Sequence, residues 1–284
     1  MRNFVDLHVH SNASDGELSP AEAVAMAERK RLAAVALTDH DTMAGLPQAE
    51  PAARGLSLRL IPGIEISAQF TGGTLHILGL GVRVGAGRLE DMLAGLRRQR
   101  ALRNPRMLDK LRALGIKITM DELAELAGGH SDAVIGRLHM ARLLVDKGHA
   151  RDIGDAFDRF LGEKAPAFVD KERLSPRAAI EGVHAGGGLA ILAHPVQLNY
   201  GNAARLERIV ADLAYAGLDG IEVYHSLHSL QQTRLLLDLA RRRRLLISGG
   251  SDFHGSGKLE ALMGRPRVPL AAVKELLERL GCTD

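Results

Sequence analysis

The sequence predicts an α/β fold, and among α/β folds a closed barrel. Two observations support this prediction: apolar strand segments alternate with amphipathic helical segments, and polar, often histidine-bearing residues follow the strands at their C-terminal ends. Alternation of strand and helix is typical of a parallel sheet. In a closed α/β barrel the functional groups gather at the C-terminal mouth, so this placement favours a barrel over an open sheet.

The first strand is predicted in "RNFVDLHVH", where a β-type apolar stretch ends at His8 and His10. Residues i and i+2 of a strand point to the same side. His8 and His10 therefore place two imidazoles on one face at the mouth of the strand, and neutral imidazole is a common metal ligand. Asp15 follows in a polar turn rich in Gly, Ser and Asn. This stretch is a candidate metal site.

Helices and strands follow in order. "SPAEAVAMAERKR" has Ser19 as N-cap and Pro20 at the first helical position, which predicts a helix. "LAAVALTDHD" is typical of a buried strand, and "GLPQAEPAARG" predicts a short helix punctuated by prolines. "LRLIPGIEIS" and "GTLHILGLGV" predict two more strands. Toward the C-terminus, the strands "GGLAILAHP", "LDGIEVYH" and "RLLISGGSDFH" alternate with predicted helices at 205–216 and 231–243.

The middle of the chain, from 89 to 166, carries helical patterns in succession, such as "TMDELAELAGG" and "GRLHMARLLVDKG". We therefore predict three parts. Residues 1–88 form the first part of the barrel, 89–166 an all-α insertion that covers the mouth as a substrate lid, and 167–284 the second part of the barrel.

Composition limits the classes of function. Cys282 is the one cysteine, so no intramolecular disulfide or cysteine-based metal site is possible, and a reducing compartment is expected. No apolar run reaches the roughly 18 residues of a membrane span, and the N-terminus lacks the order of a signal peptide. We expect a cytoplasmic protein without a membrane partner or an obligatory protein partner. The net charge of +3 is too small to require a nucleic-acid partner.

Nitrogen and oxygen donors recur at the predicted strand ends. Burying so many polar groups at one mouth is costly unless cations neutralise them, so the set predicts a metal centre. Its nine members are His8, His10, Asp15, His40, Glu65, His76, His194, Asp252 and His254.

Six segments in this order resemble the motifs of the PHP (polymerase and histidinol phosphatase) family of metal-dependent phosphoesterases: "DLHVHSNASDG", "ALTDHDT", "IPGIEIS", "LHILGLG", "AILAHP" and "GGSDFH". The resemblance covers nearly the whole chain. It implies a distorted (β/α)7 TIM-like barrel that holds two or three divalent ions, with Mn²⁺ expected and Zn²⁺ or Fe²⁺ as alternatives. Such ions lower the pKa of bound water and neutralise phosphoryl oxygens during phosphoester hydrolysis.

The resemblance also implies how the donors are shared among the ions. The first ion would take His8, His10, Glu65 and Asp252. The second would take Asp15, His40 and His254, and the third His76 and His194 with Glu65 bridging. We expect Asp252, His194 and His225 to be catalytic.

A further resemblance concerns the substrate. Gly136, Arg137 and His139 at a helix start resemble the Gly-Arg-x-His element of a PHP subgroup that includes 3′,5′-nucleoside bisphosphate phosphatases and short-RNA 5′-exonucleases. Arg137 is suited to grip a phosphate bidentately beside the helix N-terminal amides. Lys164 and Lys171 are weaker candidates, and both are expected at the surface.

"EVYHSLHS" places Tyr224, His225 and His228 just beyond a strand end. The subgroup resemblance implies that Tyr224 stacks on a base and that His225 protonates a leaving oxygen. His228 fits substrate contact and packing against the insertion equally well. The basic runs at 97–106 and 241–244 are expected to be solvated helix faces.

These observations favour a multimetal phosphatase that removes the 3′-phosphate of a nucleoside 3′,5′-bisphosphate such as phosphoadenosine phosphate. One alternative is a 5′–3′ exonuclease on short 5′-phosphorylated RNA, which would use the same metals. A histidinol phosphatase would need a carboxylate for the amine of its substrate, and the insertion offers Arg and His instead. A non-catalytic metal-binding PHP module is the remaining alternative.

Overall fold

The strands form one sheet that curls into a nearly closed barrel. The structure is a computed structural model, and it describes residues 2–127, 134–255 and 261–282. Along the described chain the strands are β1 (Phe4–Val9), β2 (Ala34–Leu37), β3 (Arg59–Ala68), β4 (Leu75–Leu80), β5 (Leu189–Leu192), β6 (Gly220–His225), β7 (Leu246–Gly250) and β8 (Val268–Pro269). Their order in the sheet is β7-β6-β5-β4-β3-β2-β1-β8.

The two ends of this sheet meet at the mouth of the barrel. The Asp252 N–H donates to the His8 carbonyl, and the His10 N–H donates to the Phe253 carbonyl, both at 2.9 Å. These two bonds join the end of β1 to the segment that follows β7. The predicted barrel is therefore confirmed.

The described helices surround the sheet or lie in the insertion. Ser19 caps the first helix as predicted, because its side chain accepts from the Glu22 N–H while Glu22 reaches back to the cap. The helices are α1 (Pro20–Arg29), α2 (Leu46–Ala53), α3 (Gly87–Ala113), α4 (Met120–Leu126), α5 (Arg137–Asp146), α6 (Ile153–Ala156), α7 (Pro176–Ala185), α8 (Ala203–Tyr215), α9 (Leu230–Arg243) and α10 (Lys274–Arg279). No helix in the described ranges has the length and apolar character needed to cross a membrane.

The prediction of a parallel sheet throughout is wrong for β4, which runs antiparallel to both β3 and β5. The connection between β3 and β4, residues 69–74, is too short for the crossover that parallel strands require. The reversal has a consequence for the site. His76 lies near the N-terminal end of β4 and pairs with Ser67, so it reaches the same mouth as the C-terminal ends of the neighbouring strands.

Alternate strand residues face the interior of the barrel, and this alternation determines which side chains reach the metal cluster. Ile61 and Leu78 pack in an inner cluster that Leu276 of α10 helps to close at the far end. The residues between them along each strand pack outward against the helices. Because side chains alternate along a strand, Glu65 and His76 face inward at the mouth, four residues after Ile61 and two before Leu78.

A bulge in β1 decides where its histidines point. The register of β1 with β2 shifts between Asp6 and Val9. Leu7 belongs to the inner cluster, whereas Val9 belongs to the outer one. His8 and His10 lie on either side of Val9 and are both fully buried. Bulges commonly re-aim side chains next to functional sites, and this one places both imidazoles inward.

Between β4 and α7 the described residues form helices α3 to α6 and a π-helical turn at Phe157–Leu161. This segment has an apolar cluster of its own, which includes Met107, Leu111, Met140 and Leu144. It packs beside the mouth of the barrel, where α3 and α5 border the cavity described below. The predicted bounds of 89 and 166 and the role of this segment as a substrate lid remain predictions.

Candidate metal centre

The structure brings all nine predicted donors together at the mouth of the barrel. Only His40 and His76 among them are partly exposed. Most of the donors fall into overlapping groups whose nitrogen and oxygen atoms lie within 4.8 Å of one another. The distances below show how the groups share members.

The first group is formed by His8, His10, Glu65 and Asp252. His8 Nε2 lies 3.4 Å from both Glu65 Oε2 and Asp252 Oδ1. His10 Nε2 lies 3.1 Å and 3.4 Å from the same two oxygens. Two nitrogens and two oxygens thus converge on one point, and the membership matches the first predicted ion site.

The second group contains Asp15, His40 and His254, and His10 joins it. His254 Nε2 lies 3.2 Å from Asp15 Oδ1, and His40 Nε2 lies 4.0 Å from Asp15 Oδ2. His10 Nδ1 is 3.8 Å from Asp15 Oδ1. His10 therefore faces the first group with one ring nitrogen and the second group with the other.

Glu65 connects the remaining donors. Its Oε1 lies 2.7 Å from His76 Nδ1 and 2.8 Å from His194 Nε2, while its Oε2 lies 3.1 Å from His40 Nδ1. The two nitrogens that face Oε1 are 3.2 Å apart. Glu65 is thus the central carboxylate of the cluster, in the bridging position that the resemblance implies.

The residues fit divalent ions by two tests that are independent of the family. Several buried ring nitrogens and Glu65 Oε2 have no hydrogen-bond partner among the described residues, although buried polar atoms are normally paired. Burial lowers the pKa of His40 to about 3, against the opposing carboxylates, so its imidazole is neutral. Burial would raise the pKa of Glu65, but the histidine rings around it hold it well below its usual value. Against burial, the neighbouring carboxylates raise the pKa of His8, and they raise that of His10 to about 9. Bound cations would take the place of the protons on these rings, because the ligand forms are neutral imidazole and ionised carboxylate.

Two of these donors have an unusual backbone. His194 has a φ of 27° and Asp252 a φ of 56°, and neither residue is a glycine. Positive φ is uncommon for such residues and clusters at functional sites, where surrounding contacts hold it in place. Glu222 supplies one such contact, because its Oε2 accepts the His194 N–H at 2.6 Å.

Sequence reasoning missed Glu222. Besides holding the His194 backbone, Glu222 Oε1 lies 3.0 Å from His8 Nδ1, so it orients the ring that presents Nε2 to the first group. It also forms a group with His8 and His225. The signal was available as an acidic residue in the strand "GIEVYH", three positions before His225.

A cavity of about 160 Å³ adjoins the cluster at Asp15, His40 and His76. Its other wall is strongly basic, and we call its five cationic side chains the basic wall. They are Arg100 and Arg103 of α3, Arg137 of α5, and Lys171 and Arg173 of the segment before α7.

The basic wall concentrates positive charge in a small space. Within the part of the chain that the structure describes, Arg103 donates to a neutral amide oxygen, that of Asn104, with its Nη2 at 2.7 Å. Burial and the nearby positive charges, chiefly those of Arg100 and Arg137, together lower the pKa of Arg103 to about 9. Like charges held together in a closed space favour an anion between them.

Two expectations about basic residues are wrong. Lys171 was expected at the surface, but its side chain is only 5% exposed and lies 3.4 Å from Asp41 Oδ2. The run at 97–106 was expected to be a solvated face, but Arg100 and Arg103 turn into the cavity while Arg98 and Arg106 remain exposed. The run at 241–244 is exposed as predicted, and Lys164 is also exposed.

The predicted substrate residues of α5 separate in the structure. Gly136 and Arg137 line the cavity. His139 is buried and does not line it, because its Nδ1 accepts the Gly136 N–H at 3.0 Å and thereby caps the helix start. A hydrogen-bonded cap is a structural role, and the direct substrate contact expected of His139 stays a prediction.

The residues after β6 also separate. Tyr224 packs against both apolar clusters and does not line the described cavity, and the expected base stacking stays a prediction. His228 donates from Nδ1 to the Val223 carbonyl at 2.9 Å and packs 5.2 Å from the His225 ring. His225 Nδ1 accepts the Leu227 N–H, which places the ring proton on Nε2, 3.9 Å from Asp252 Oδ2. Proton donation by His225 stays a prediction.

Comparisons with known proteins agree with this geometry. The model of the PHP domain matches residues 6–111. A 5′-3′ exoribonuclease of Haemophilus influenzae is 40% identical over 89% of this chain and 91% of its own length. A 3′,5′-nucleoside bisphosphate phosphatase of Chromobacterium violaceum is 35% identical over 89% and 88%. The crystal structure of a candidate metal-dependent phosphoesterase from Bifidobacterium adolescentis superposes with a TM-score of 0.86 at 31% identity, over 97% of this chain and 96% of that one.

Proposed function

The chain belongs to the PHP family of metal-dependent phosphoesterases, and on that basis we propose that it hydrolyses the 3′-phosphate ester of nucleotides that also carry a 5′-phosphate. Nucleoside 3′,5′-bisphosphates are the substrates that we propose first. The metal cluster would hold the phosphate that is cleaved, and the basic wall would hold the phosphate that is not.

One observation carries this proposal: the metal cluster and the basic wall line the same cavity. A phosphatase for simple monoesters needs cations only at the reacting phosphoryl group. Here five further cationic side chains line the cavity, and three of them, Arg100, Arg137 and Arg173, lie close enough to Arg103 to lower its pKa. A second anionic group on the substrate accounts for their presence.

The protein side chains divide the work accordingly. The three donor groups around Glu65 would hold divalent ions, which supply charge neutralisation and an activated water. Glu222 fixes the orientation of His8 and the backbone of His194. Arg137 and its neighbours bind the uncleaved phosphate and so fix the position of the scissile ester relative to the cluster.

A panel of phosphoesters assayed with Mn²⁺ tests the substrate. We expect kcat/KM for adenosine 3′,5′-bisphosphate to exceed that for adenosine 3′-monophosphate by about tenfold or more, since the second compound lacks the 5′-phosphate. If the bisphosphate is no better a substrate than p-nitrophenyl phosphate, the proposed substrate class is wrong.

Variants test the metal cluster separately. His8→Ala or Asp252→Ala should abolish turnover and lower the bound metal measured by elemental analysis. His184→Ala is the matched control, because His184 is a half-exposed histidine that pairs with Asp219 away from the cluster. Full activity in metal-stripped His8→Ala protein would overturn the role of the cluster.

A second candidate is 5′–3′ exoribonuclease activity, which the 40% identity to an enzyme of that name favours. It needs the same contact with the 5′-phosphate and hydrolysis of the same 3′-ester bond. In RNA the scissile phosphate is a diester that also carries the next nucleoside, whereas in the bisphosphate it is a monoester. Oligoribonucleotides with and without a 5′-phosphate separate the candidates. Stepwise shortening of only the 5′-phosphorylated strand supports the second candidate, and an intact strand excludes it.

A further inference from the structure

Asp41 is a buried carboxylate between the metal cluster and the basic wall. It follows His40, it is fully buried, and its φ of 54° is positive although it is not a glycine. Its N–H donates to the Glu65 carbonyl at 2.9 Å, and its Oδ1 accepts the Ser67 N–H at 3.0 Å. These contacts fix the carboxylate against β3 at the strand end that carries Glu65.

The other carboxylate oxygen faces the basic wall. Asp41 Oδ2 accepts from Arg100 Nε at 2.9 Å and from its Nη2 at 2.6 Å, and Lys171 Nζ lies 3.4 Å away. One edge of the guanidinium is thereby held. The third nitrogen, Nη1, lies on the side of Gly136, 3.7 Å from where a Cβ on that glycine would stand. Gly136 precedes α5, so this nitrogen stands beside the amides of a helix start.

The contacts join three segments that are distant in sequence. Asp41 lies after β2, Arg100 lies on α3, and Lys171 lies before α7. Both cationic side chains are nearly buried. A long side chain in a closed space loses much rotamer freedom, and a shared carboxylate anchor determines which conformation it keeps.

We propose that Asp41 is a positioning residue, which orients Arg100 and Lys171 so that they bind the uncleaved phosphate of the substrate. This inference rests on the proposed function. Asp41 itself touches neither the metal cluster's donor atoms nor the cavity; it acts through the two cations. It would thereby link the strand end that carries Glu65 to the part of the site that selects the substrate.

If Asp41 acted through its charge alone, its removal would change phosphate binding in the opposite direction. Asp41 is an anion beside a phosphate site, so removing its charge would strengthen the attraction for a phosphate if the cations acted only as a positive field. If orientation matters more, removing the charge releases the Arg100 guanidinium and weakens phosphate binding. The two explanations therefore give KM changes of opposite sign for the same substitution.

Asp41→Asn is the direct test, because asparagine keeps the shape and tolerates positive φ. We expect KM for adenosine 3′,5′-bisphosphate to rise about tenfold with a smaller change in kcat and with metal content retained, in line with the loss of charge-assisted hydrogen bonds. Asp109→Asn is the control, since Asp109 pairs with Arg112 on an exposed face of the same α3. A lower KM in Asp41→Asn overturns the proposal.

A second variant keeps the proposal testable if Asp41→Asn folds poorly. Arg100→Lys retains the charge but loses the two-point grip on Asp41, so we expect a similar rise in KM. The double variant Arg100→Lys/Asp41→Asn should then show no further rise, because both changes remove one interaction. An unchanged KM in Arg100→Lys, or additive effects in the double variant, contradicts the orienting role.

The same experiments distinguish this inference from the proposed function. If the wild-type enzyme does not prefer the bisphosphate over adenosine 3′-monophosphate, the proposed function is wrong. Titration of inorganic phosphate into chelator-treated protein then tests Asp41 alone. Weaker binding to Asp41→Asn than to wild type supports the orienting role, and equal or tighter binding overturns it.

Discussion

Arg137 lies at the edge of the basic wall with its guanidinium between two aromatic rings. Its central carbon is 5.5 Å from the Phe157 ring centre and 5.7 Å from that of Phe168, and its Nη1 donates to the Leu161 carbonyl at 3.3 Å. These contacts hold the side chain through aromatic rings and a backbone carbonyl, and among the described residues no ion pair joins it to a carboxylate. Its charge is therefore available to a bound phosphate.

Arg137→Ala should lower kcat/KM for the bisphosphate by about tenfold to a hundredfold, because a charge-assisted contact of this kind is worth about 1.5–3 kcal/mol. Metal content should stay at the wild-type level, and Arg137→Lys should restore the activity only in part. The measurement is the ratio of kcat/KM for the bisphosphate to that for p-nitrophenyl phosphate. An equal decrease for both substrates would show that Arg137 supports the fold or the metal cluster instead.

Lys171 gives the basic wall a pH dependence. Burial and the neighbouring Arg100 lower the pKa of Lys171 to about 7, against the opposing effect of Asp41. As pH rises through that value the ammonium loses its proton, and the wall loses one positive charge. We expect the affinity of metal-free protein for adenosine 5′-monophosphate to fall between pH 6 and pH 8.5.

Lys171→Arg should reduce that decrease, because a guanidinium keeps its charge over this range. Calorimetric titration at both pH values measures the change. The phosphate of the ligand also titrates, but it does so equally with both proteins. Identical pH dependence in wild type and Lys171→Arg would show that Lys171 does not contribute.

At the scale of elements, the seam between β1 and β7 depends on a glycine. A Cβ on Gly250 would stand 2.4 Å from His8 Cβ and 2.5 Å from His8 N, which is closer than atoms can approach. Gly250→Ala must therefore push β1 away from β7 and displace His8. We expect the free energy of unfolding to fall by about 1–3 kcal/mol and the bound metal to decrease.

Gly95→Ala is the matched control for this change. Gly95 lies within α3, and apart from the helix's own backbone and the adjacent residues no atom of the described chain lies within 4 Å of the position of its added Cβ. Alanine in a helix interior should raise the stability by up to about 1 kcal/mol. Chemical denaturation compares the two variants, and a Gly250→Ala protein as stable as wild type would contradict the close approach.

Elements differ in how far the sequence predicts them. The helix that Ser19 caps is predicted because its capping residues are local signals. The antiparallel direction of β4 was not predicted, although the short connection after β3 was visible, because strand direction is decided by pairing partners. His76 was predicted to join the cluster because donors follow the C-terminal ends of strands. It does join the cluster, but it lies near the start of its antiparallel strand.

For the whole molecule, the metal cluster concentrates buried carboxylates and imidazoles in one place, so bound ions should stabilise the fold. An ion present at one hundred times its Kd contributes about 2.7 kcal/mol. For a chain of this size we expect addition of Mn²⁺ to chelator-treated protein to raise Tm by roughly 5–10 °C. Thermal melting measures the shift.

The His8→Ala variant provides the control for this stabilisation. It should lose most of the rise in Tm, whereas His184→Ala should retain it. An equal rise in all three proteins would show that the ions bind elsewhere or act nonspecifically.

The sequence by itself determined the barrel class and the nine donors. Strand periodicity is a local property of the sequence. In an α/β barrel the residue after any strand lies at the C-terminal mouth, so a polar residue in that place can be assigned to the mouth without knowing how the strands are arranged. The resemblance of the segment around Gly136 and Arg137 to a family element singled these two residues out as substrate residues, and the structure places both at the cavity.

Only the tertiary structure decided which charges face the site. Arg100 and Arg98 are two residues apart in one basic run, yet one enters the cavity and the other faces solvent, because the packing of α3 on the barrel selects one side of the helix. Asp41, Glu222 and Lys171 acquire their roles from partners far away in the chain. Burial and charge pairing depend on such distant neighbours, so no local pattern could reveal them.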